Sequence, residues 1–161
     1  MRLLIVRHAE AVPRGAPGIR DEERPLTAEG RAQFRAAARG IARLVDRPDA
    51  LLTSPWLRAK QTAAILARAW DRVEPREAEA LAGGSFEAQA ELLDGFPRES
   101  TVAVVGHEPY LSSLLARLLG ARASDRLGLK KGAIALVDVP GRLAEGGTLL
   151  LFVPPKVLRK L

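Results

Sequence analysis

Two uninterrupted aliphatic runs, Leu3–Val6 and Val102–Val105, lead into the only two histidines of the chain, His8 and His107. A short apolar run with no polar alternation reads as a strand covered on both faces, as in parallel sheets. A third run over residues 50–53 stops at Ser54-Pro55. Between the runs, apolar residues recur at helical spacing. Phe34, Ala37, Ala38, Ile41, Leu44 and Val45 follow a capping Thr27, and Leu111, Leu114, Leu115, Leu118 and Leu119 follow Pro109. A further helix is expected to run to about Trp70, with Ser54 as its cap and Pro55 in its first turn. Strands that alternate with helices predict an α/β three-layer sandwich, with a mostly parallel central sheet and helices on both faces. Residues 132–139 and 147–153, joined through Gly141, Gly146 and Gly147, read as an antiparallel hairpin at one edge. The pattern is weaker over 72–82, where a short strand near Glu77–Leu81 is expected, and a short helix is expected over 86–94. Residues 9–26 carry Pro13, Gly15, Pro17, Gly18 and Pro25 among charges and read as a long loop, which in a compact domain usually serves function.

The 161 residues, 47% hydrophobic, suit one domain over 1–161 with a sizeable core. With no cysteine, disulfides, thiolate metal sites and thiol catalysis are excluded. The apolar run behind Met1-Arg2 is too short for a signal-peptide core or a membrane span, so a cytoplasmic protein without membrane contact is expected. The net charge of +6 has two readings, a funnel for anionic substrates and a solvated arginine-rich surface, and the second is expected for most of the arginines. Nucleic-acid binding is disfavoured, because the basic residues are scattered singly among acidic ones and aromatics are only 4%.

In a parallel sheet the segments after successive strands emerge along one edge, where active sites of α/β proteins form. Arg7-His8, Arg58 and His107 then share one pocket although 100 residues separate its ends. Guanidinium forks donate paired hydrogen bonds to phosphoryl oxygens and keep their charge at any working pH. A neutral imidazole is a competent nucleophile, provided its other nitrogen donates to an acceptor. A second, protonated imidazole adds charge where the transition state is most negative. Two histidines, no cysteine and no carboxylate cluster at ligand spacing give a metal no obvious ligand set, and no cofactor is expected.

The segments Arg7-His8-Ala9, Arg24-Pro25-Leu26-Thr27-Ala28-Glu29-Gly30, Thr53-Ser54-Pro55-Trp56-Leu57-Arg58-Ala59-Lys60-Gln61-Thr62 and Gly106-His107-Glu108-Pro109 together resemble the histidine phosphatase superfamily. More narrowly they resemble its short SixA-type phosphohistidine phosphatases, through about residue 137. The resemblance implies a phosphoglycerate-mutase-like fold and a phosphorylated nucleophile at His8. It implies that Arg7, Arg58 and His107 complete the phosphate pocket, with Arg24 as an additional ligand. Ala9 stands where much of the family has glycine.

Longer members of that superfamily resemble esterases and mutases with a glutamate acid on an inserted segment. The matching region here, Glu77-Ala78-Glu79-Ala80-Leu81, gives Glu79 as the nearest candidate, and Glu108, adjacent to His107, is the other; a solvated surface glutamate is the alternative for both. A phosphorylated imidazole needs an acid less than an alkyl ester does. Little chain remains for a lid, so an open pocket and protein phosphohistidine are the expected substrate. The alternatives are a phosphomonoesterase on small sugar or nucleotide phosphates, or a noncatalytic phosphate-binding module. The basic tail from Lys156 to Lys160 reads as solvated.

Overall fold

The computed structural model describes residues 1–161. Six strands form one sheet: β1 (Arg2–Arg7), β2 (Ala50–Thr53), β3 (Pro75–Glu77), β4 (Thr101–Gly106), β5 (Ile134–Asp138) and β6 (Thr148–Val153). Their order is β3-β2-β4-β1-β5-β6. The pairs β3–β2, β2–β4 and β4–β1 are parallel, whereas β5 runs antiparallel to both β1 and β6. The expected α/β sandwich and its edge hairpin are both present.

The aliphatic runs are continuous because both faces of the sheet are covered. Leu4 and Val6 of β1, Leu51 of β2 and Ala103 and Val105 of β4 pack with Phe34, Ile41 and Leu66 on one face. Those partners come from α1 (Ala28–Leu44) and α2 (Leu57–Ala69). Leu3, Ile5, Leu52, Val102 and Val104 pack on the other face with Leu93, Leu111, Leu114 and Leu115. These belong to α3 (Phe86–Asp94) and α4 (Tyr110–Leu118). Alternation thus survives inside each run, with odd and even residues serving different layers.

The Thr27 cap is as expected, its hydroxyl accepting from Gly30 N. Three boundaries differ from expectation. Helix α2 begins at Leu57, because Ser54 Oγ accepts from Trp56 N at 3.2 Å and ends the strand in a tight turn first. The edge strand β3 lies at Pro75–Glu77 rather than near Glu77–Leu81, and residues 79–81 form a single helical turn instead. The C-terminal residues are not a solvated tail throughout: α5 (Pro155–Leu158) packs Leu158, which is fully buried, into the α1 face. A Cβ at Gly40 would meet the Leu158 carbonyl, so the missing side chain there allows α5 to lie close to α1.

Candidate active site

The parallel core delivers three loops to one place. Backbone pairing runs past the strand ends: His8 N donates to Gly106 O at 3.1 Å and Ser54 N to Val105 O at 2.9 Å. The segments after β1, β2 and β4 therefore stay in register to the rim. There Arg7, His8, Arg24, Arg58 and His107 line one cleft of about 440 Å³, joined by Arg14, Trp56, Glu108, Tyr110 and Lys131.

The two imidazoles lie with ring centroids 5.1 Å apart. Nδ1 of His8 is 2.7 Å from Ala9 O, a carbonyl that can only accept, so Nδ1 carries the proton. That leaves the lone pair on Nε2, to which Arg58 Nε donates at 3.3 Å. The Ala9 peptide is fixed in turn, its N–H donating to Thr62 Oγ1 at 3.0 Å. His107 Nε2 meets Ser54 Oγ at 2.8 Å, and the Trp56 ring lies 4.7 Å from the His107 ring.

The guanidiniums are anchored from behind. Arg7 Nη1 donates to Leu129 O at 2.6 Å. Arg58 Nη1 donates to Asp21 O at 2.6 Å, and its Cζ sits 4.6 Å from the Trp56 ring centroid. Arg24 Nη1 donates to Val12 O at 2.7 Å and its Nε to Asp21 Oδ1 at 2.8 Å. Asp21 also accepts from Arg14 Nε at 3.1 Å. The long loop is thereby held to the cleft by one carboxylate shared among Arg14, Arg24 and, at 3.5 Å, Arg58 Nη2. In the whole chain just two buried side-chain nitrogens have no hydrogen-bond partner, Arg7 Nε and His107 Nδ1, and both belong to residues lining this cleft.

Glu79 and Glu108, the two carboxylates nominated as acids, are placed differently. Glu79 is exposed at the head of its helical turn and does not line the cleft. Glu108 lines it, but its carboxylate works as an acceptor: Oε1 from Leu129 N at 2.7 Å, and Oε2 from Ser112 N at 3.2 Å and Ser112 Oγ at 2.6 Å. Glu108 thus ties α4 to the 129 segment rather than presenting a proton.

Burial sets the charge states. It pushes the His8 imidazole down to about 3; the bond to Ala9 O opposes this, and the charges of Arg58, Arg7 and Lys131 reinforce it. Burial likewise lowers His107 to about 3, with His8 and Arg58 adding to the effect. Arg58 falls to about 10 through burial and the charge of Arg24, and Asp21 opposes the fall. Burial pulls Asp21 upward, but hydrogen bonds from Arg24 and Arg14 outweigh it and hold the carboxyl below its usual range. Both imidazoles are neutral at pH 7. The charge that the second imidazole would add if protonated is therefore absent at pH 7.

A pH dependence of stability follows. The unfolded imidazoles titrate at the ordinary 6.5 and the folded ones near 3, so protons are taken up on unfolding between those values. Their contribution is complete above pH 6.5 and is lost as pH falls toward 3. Denaturant melts at pH 5 are expected to give a lower unfolding free energy than at pH 7, by up to about 2 kcal/mol per imidazole. The difference shrinks in His107→Gln.

Sequence reasoning missed Asp21, Ser54, Trp56 and Thr62 as site residues. Charge balance was the available signal for Asp21, since three guanidiniums converging on one pocket require a nearby carboxylate.

The model of the histidine phosphatase superfamily (branch 1) matches residues 3–91. An uncharacterized protein of Picosynechococcus sp. is 34% identical over 165 residues, spanning 98% of this chain and 99% of its own length. The solved structure of the protein histidine phosphatase SixA complexed with tungstate superposes with a TM-score of 0.83 at 26% identity, covering 98% of this chain and 99% of that one. The Agrobacterium tumefaciens protein assigned as the phosphohistidine phosphatase SixA gives a TM-score of 0.78, also at 26% identity, over 96% and 97% of the two chains.

Proposed function

Because this chain belongs to the histidine phosphatase superfamily, and is a phosphatase with SixA-type structural relatives, we propose that it removes the phosphoryl group from phosphohistidine on a protein. The reaction passes through a covalent intermediate on His8. The observation that carries this reading is the state of the His8 ring: Nδ1 is bound to Ala9 O, and Nε2 keeps its lone pair in a cleft lined by four arginines.

In the first step Nε2 attacks phosphorus, the P–N bond to the substrate imidazole breaks, and that ring leaves neutral if its other nitrogen carries a proton. The phosphorylated His8 ring keeps its Nδ1 proton, and the Ala9 carbonyl stabilises the positive charge. Arg7, Arg24 and Arg58 meet the nonbridging oxygens. The unpartnered Arg7 Nε and His107 Nδ1 are the donors left for the charge that develops on them, once His107 is protonated beside the dianion. Water then attacks phosphorus, the P–Nε2 bond breaks, and phosphate leaves with His8 neutral again. No carboxylic acid is needed, since a protonated phosphoimidazole expels a weak base. This agrees with the engaged Glu108 and the outlying Glu79.

A SixA relative forms a complex with tungstate, a tetrahedral oxyanion, and the four arginines of this cleft suit an anion of that kind. The test compares kcat/KM on a phosphohistidine protein with that on a chromogenic phosphate ester. The protein substrate is expected to be preferred by at least about tenfold. A preference for the ester would assign the chain to small phosphomonoesters, and tight phosphate binding with no turnover of either would make it a binding module.

A further inference from the structure

A second depression, of about 300 Å³, adjoins the catalytic cleft. The two share Lys131, and Ala9 and Glu10, which follow His8 directly, line the second. Phe34 and Ala37 of α1 lie beneath it, each almost fully buried, and its accessible apolar surface comes from Pro154 and Pro155 at the entry to α5. Its rim carries four cations, Lys130, Lys131, Lys156 and Arg159. One carboxylate lines it, Glu10, and that is already paired with Lys131. Lys130, Lys156 and Arg159 have no acidic partner in the molecule.

The groove is bonded to the nucleophile through Gly132. Its N–H lies 3.1 Å from both the Arg7 and His8 carbonyls, and its φ of +78° is one that side chains disfavour. A Cβ there would come within 3.3 Å of Phe34, so glycine lets the 130–132 segment lie against α1 and form the groove wall.

We propose that this groove docks an acidic segment bearing a large apolar side chain, on the same protein that presents its phosphohistidine to His8. The proposal rests on the phosphohistidine-protein reading. Three unpaired cations call for carboxylates, and an apolar proline surface calls for a side chain, a combination that neither free phosphate nor a sugar phosphate supplies. A folded partner covers roughly 800 Å² of each surface. A protein seated over the cleft therefore extends onto its surroundings, and this depression shares a wall with the cleft. Nucleic acid fits less well, since Phe34 is only 2% exposed and offers no stacking face.

The test uses two readouts on the full chain. The first is fluorescence anisotropy with a short peptide of alternating glutamate and phenylalanine. The second is steady-state kinetics on an acidic phosphohistidine protein and on a chromogenic ester. In K130E/K156E/R159E, peptide affinity is expected to fall and KM for the phosphoprotein to rise, each by at least about tenfold. Phosphoprotein kcat and ester turnover stay unchanged. K130Q/K156Q/R159Q, expected to show a smaller loss, keeps the test open if charge reversal unfolds α5. Unchanged peptide binding in both variants, ester turnover falling in parallel, or variant-sensitive binding of anionic vesicles without peptide binding would each overturn the proposal. If wild type binds the peptide and the variants do not, yet wild type leaves phosphohistidine untouched, the groove stands as an acidic-peptide site and the substrate reading alone fails.

Discussion

Replacing His8 by alanine is expected to lower kcat by on the order of 10⁴ or more, because the proposed nucleophile is removed and no second group can take its place. His107 is the other imidazole in reach, at 5.1 Å between centroids, but its Nε2 is engaged with Ser54 Oγ and no carbonyl fixes its tautomer as Ala9 O fixes that of His8. The same variant should lose the phosphoenzyme. Rapid-quench experiments with radiolabelled substrate are expected to show an acid-labile, alkali-stable label in the wild type and none in His8→Ala. A label that survives the substitution, or one stable to acid, would exclude the Nε2 intermediate. Fold should be retained, since the His8 side chain makes only two hydrogen bonds, from Nδ1 to the Ala9 carbonyl and to Nε2 from Arg58 Nε, and the strand pairing of residue 8 is through its backbone.

Arg58→Ala is expected to reduce kcat/KM by about 10² to 10³. Three roles meet in this one buried side chain. Its Nε faces the reacting nitrogen of His8 at 3.3 Å, its Nη1 holds the Asp21 carbonyl at 2.6 Å, and its plane stacks on Trp56. Removal takes away one charge from the phosphoryl site and loosens the loop that brings Arg24 to the cleft. Arg58→Lys should recover little, since an ammonium cannot meet a nitrogen, a carbonyl and a phosphoryl oxygen with one planar fork. Affinity for tungstate, measured by competition, should fall alongside kcat/KM. Retained affinity with lost kcat would confine Arg58 to the transition state, and retention of both would remove it from the site.

The parallel core was legible because its strands are short, aliphatic and continuous, and only a doubly covered strand tolerates that pattern. The pairs Leu3/Leu4 and Val102/Ala103 show the cause directly, neighbours in sequence packing into opposite layers. The convergence of Arg7, His8, Arg58 and His107 followed from that topology, and Arg24 from resemblance to a family. Legibility ended where a residue acts through loop geometry. Asp21 sits in a Pro- and Gly-rich stretch with no period, and nothing local says that its carbonyl and carboxylate both face arginines. Ser54 read as a helix cap because Ser-Pro is a capping pair; its hydroxyl does accept an amide, but it also serves His107. Glu108 read as a proton source from its place beside His107, whereas its carboxylate is taken up by amides and a hydroxyl that no sequence spacing reveals. The edge strand β3 was misplaced because its three residues, Pro-Arg-Glu, carry no apolar signal and owe their form to pairing with β2.

Strands β2, β4 and β1, which lead into the cleft, are each flanked on both sides by other strands, whereas α5 is a single four-residue helix lying outside the sheet. Local opening begins at termini and edges and reaches doubly bonded interior strands last. Warming or mild denaturant should therefore strip away the C-terminal wall before it disturbs the phosphoryl site. A molecule in that half-frayed condition would keep its cleft but lack the proposed docking groove.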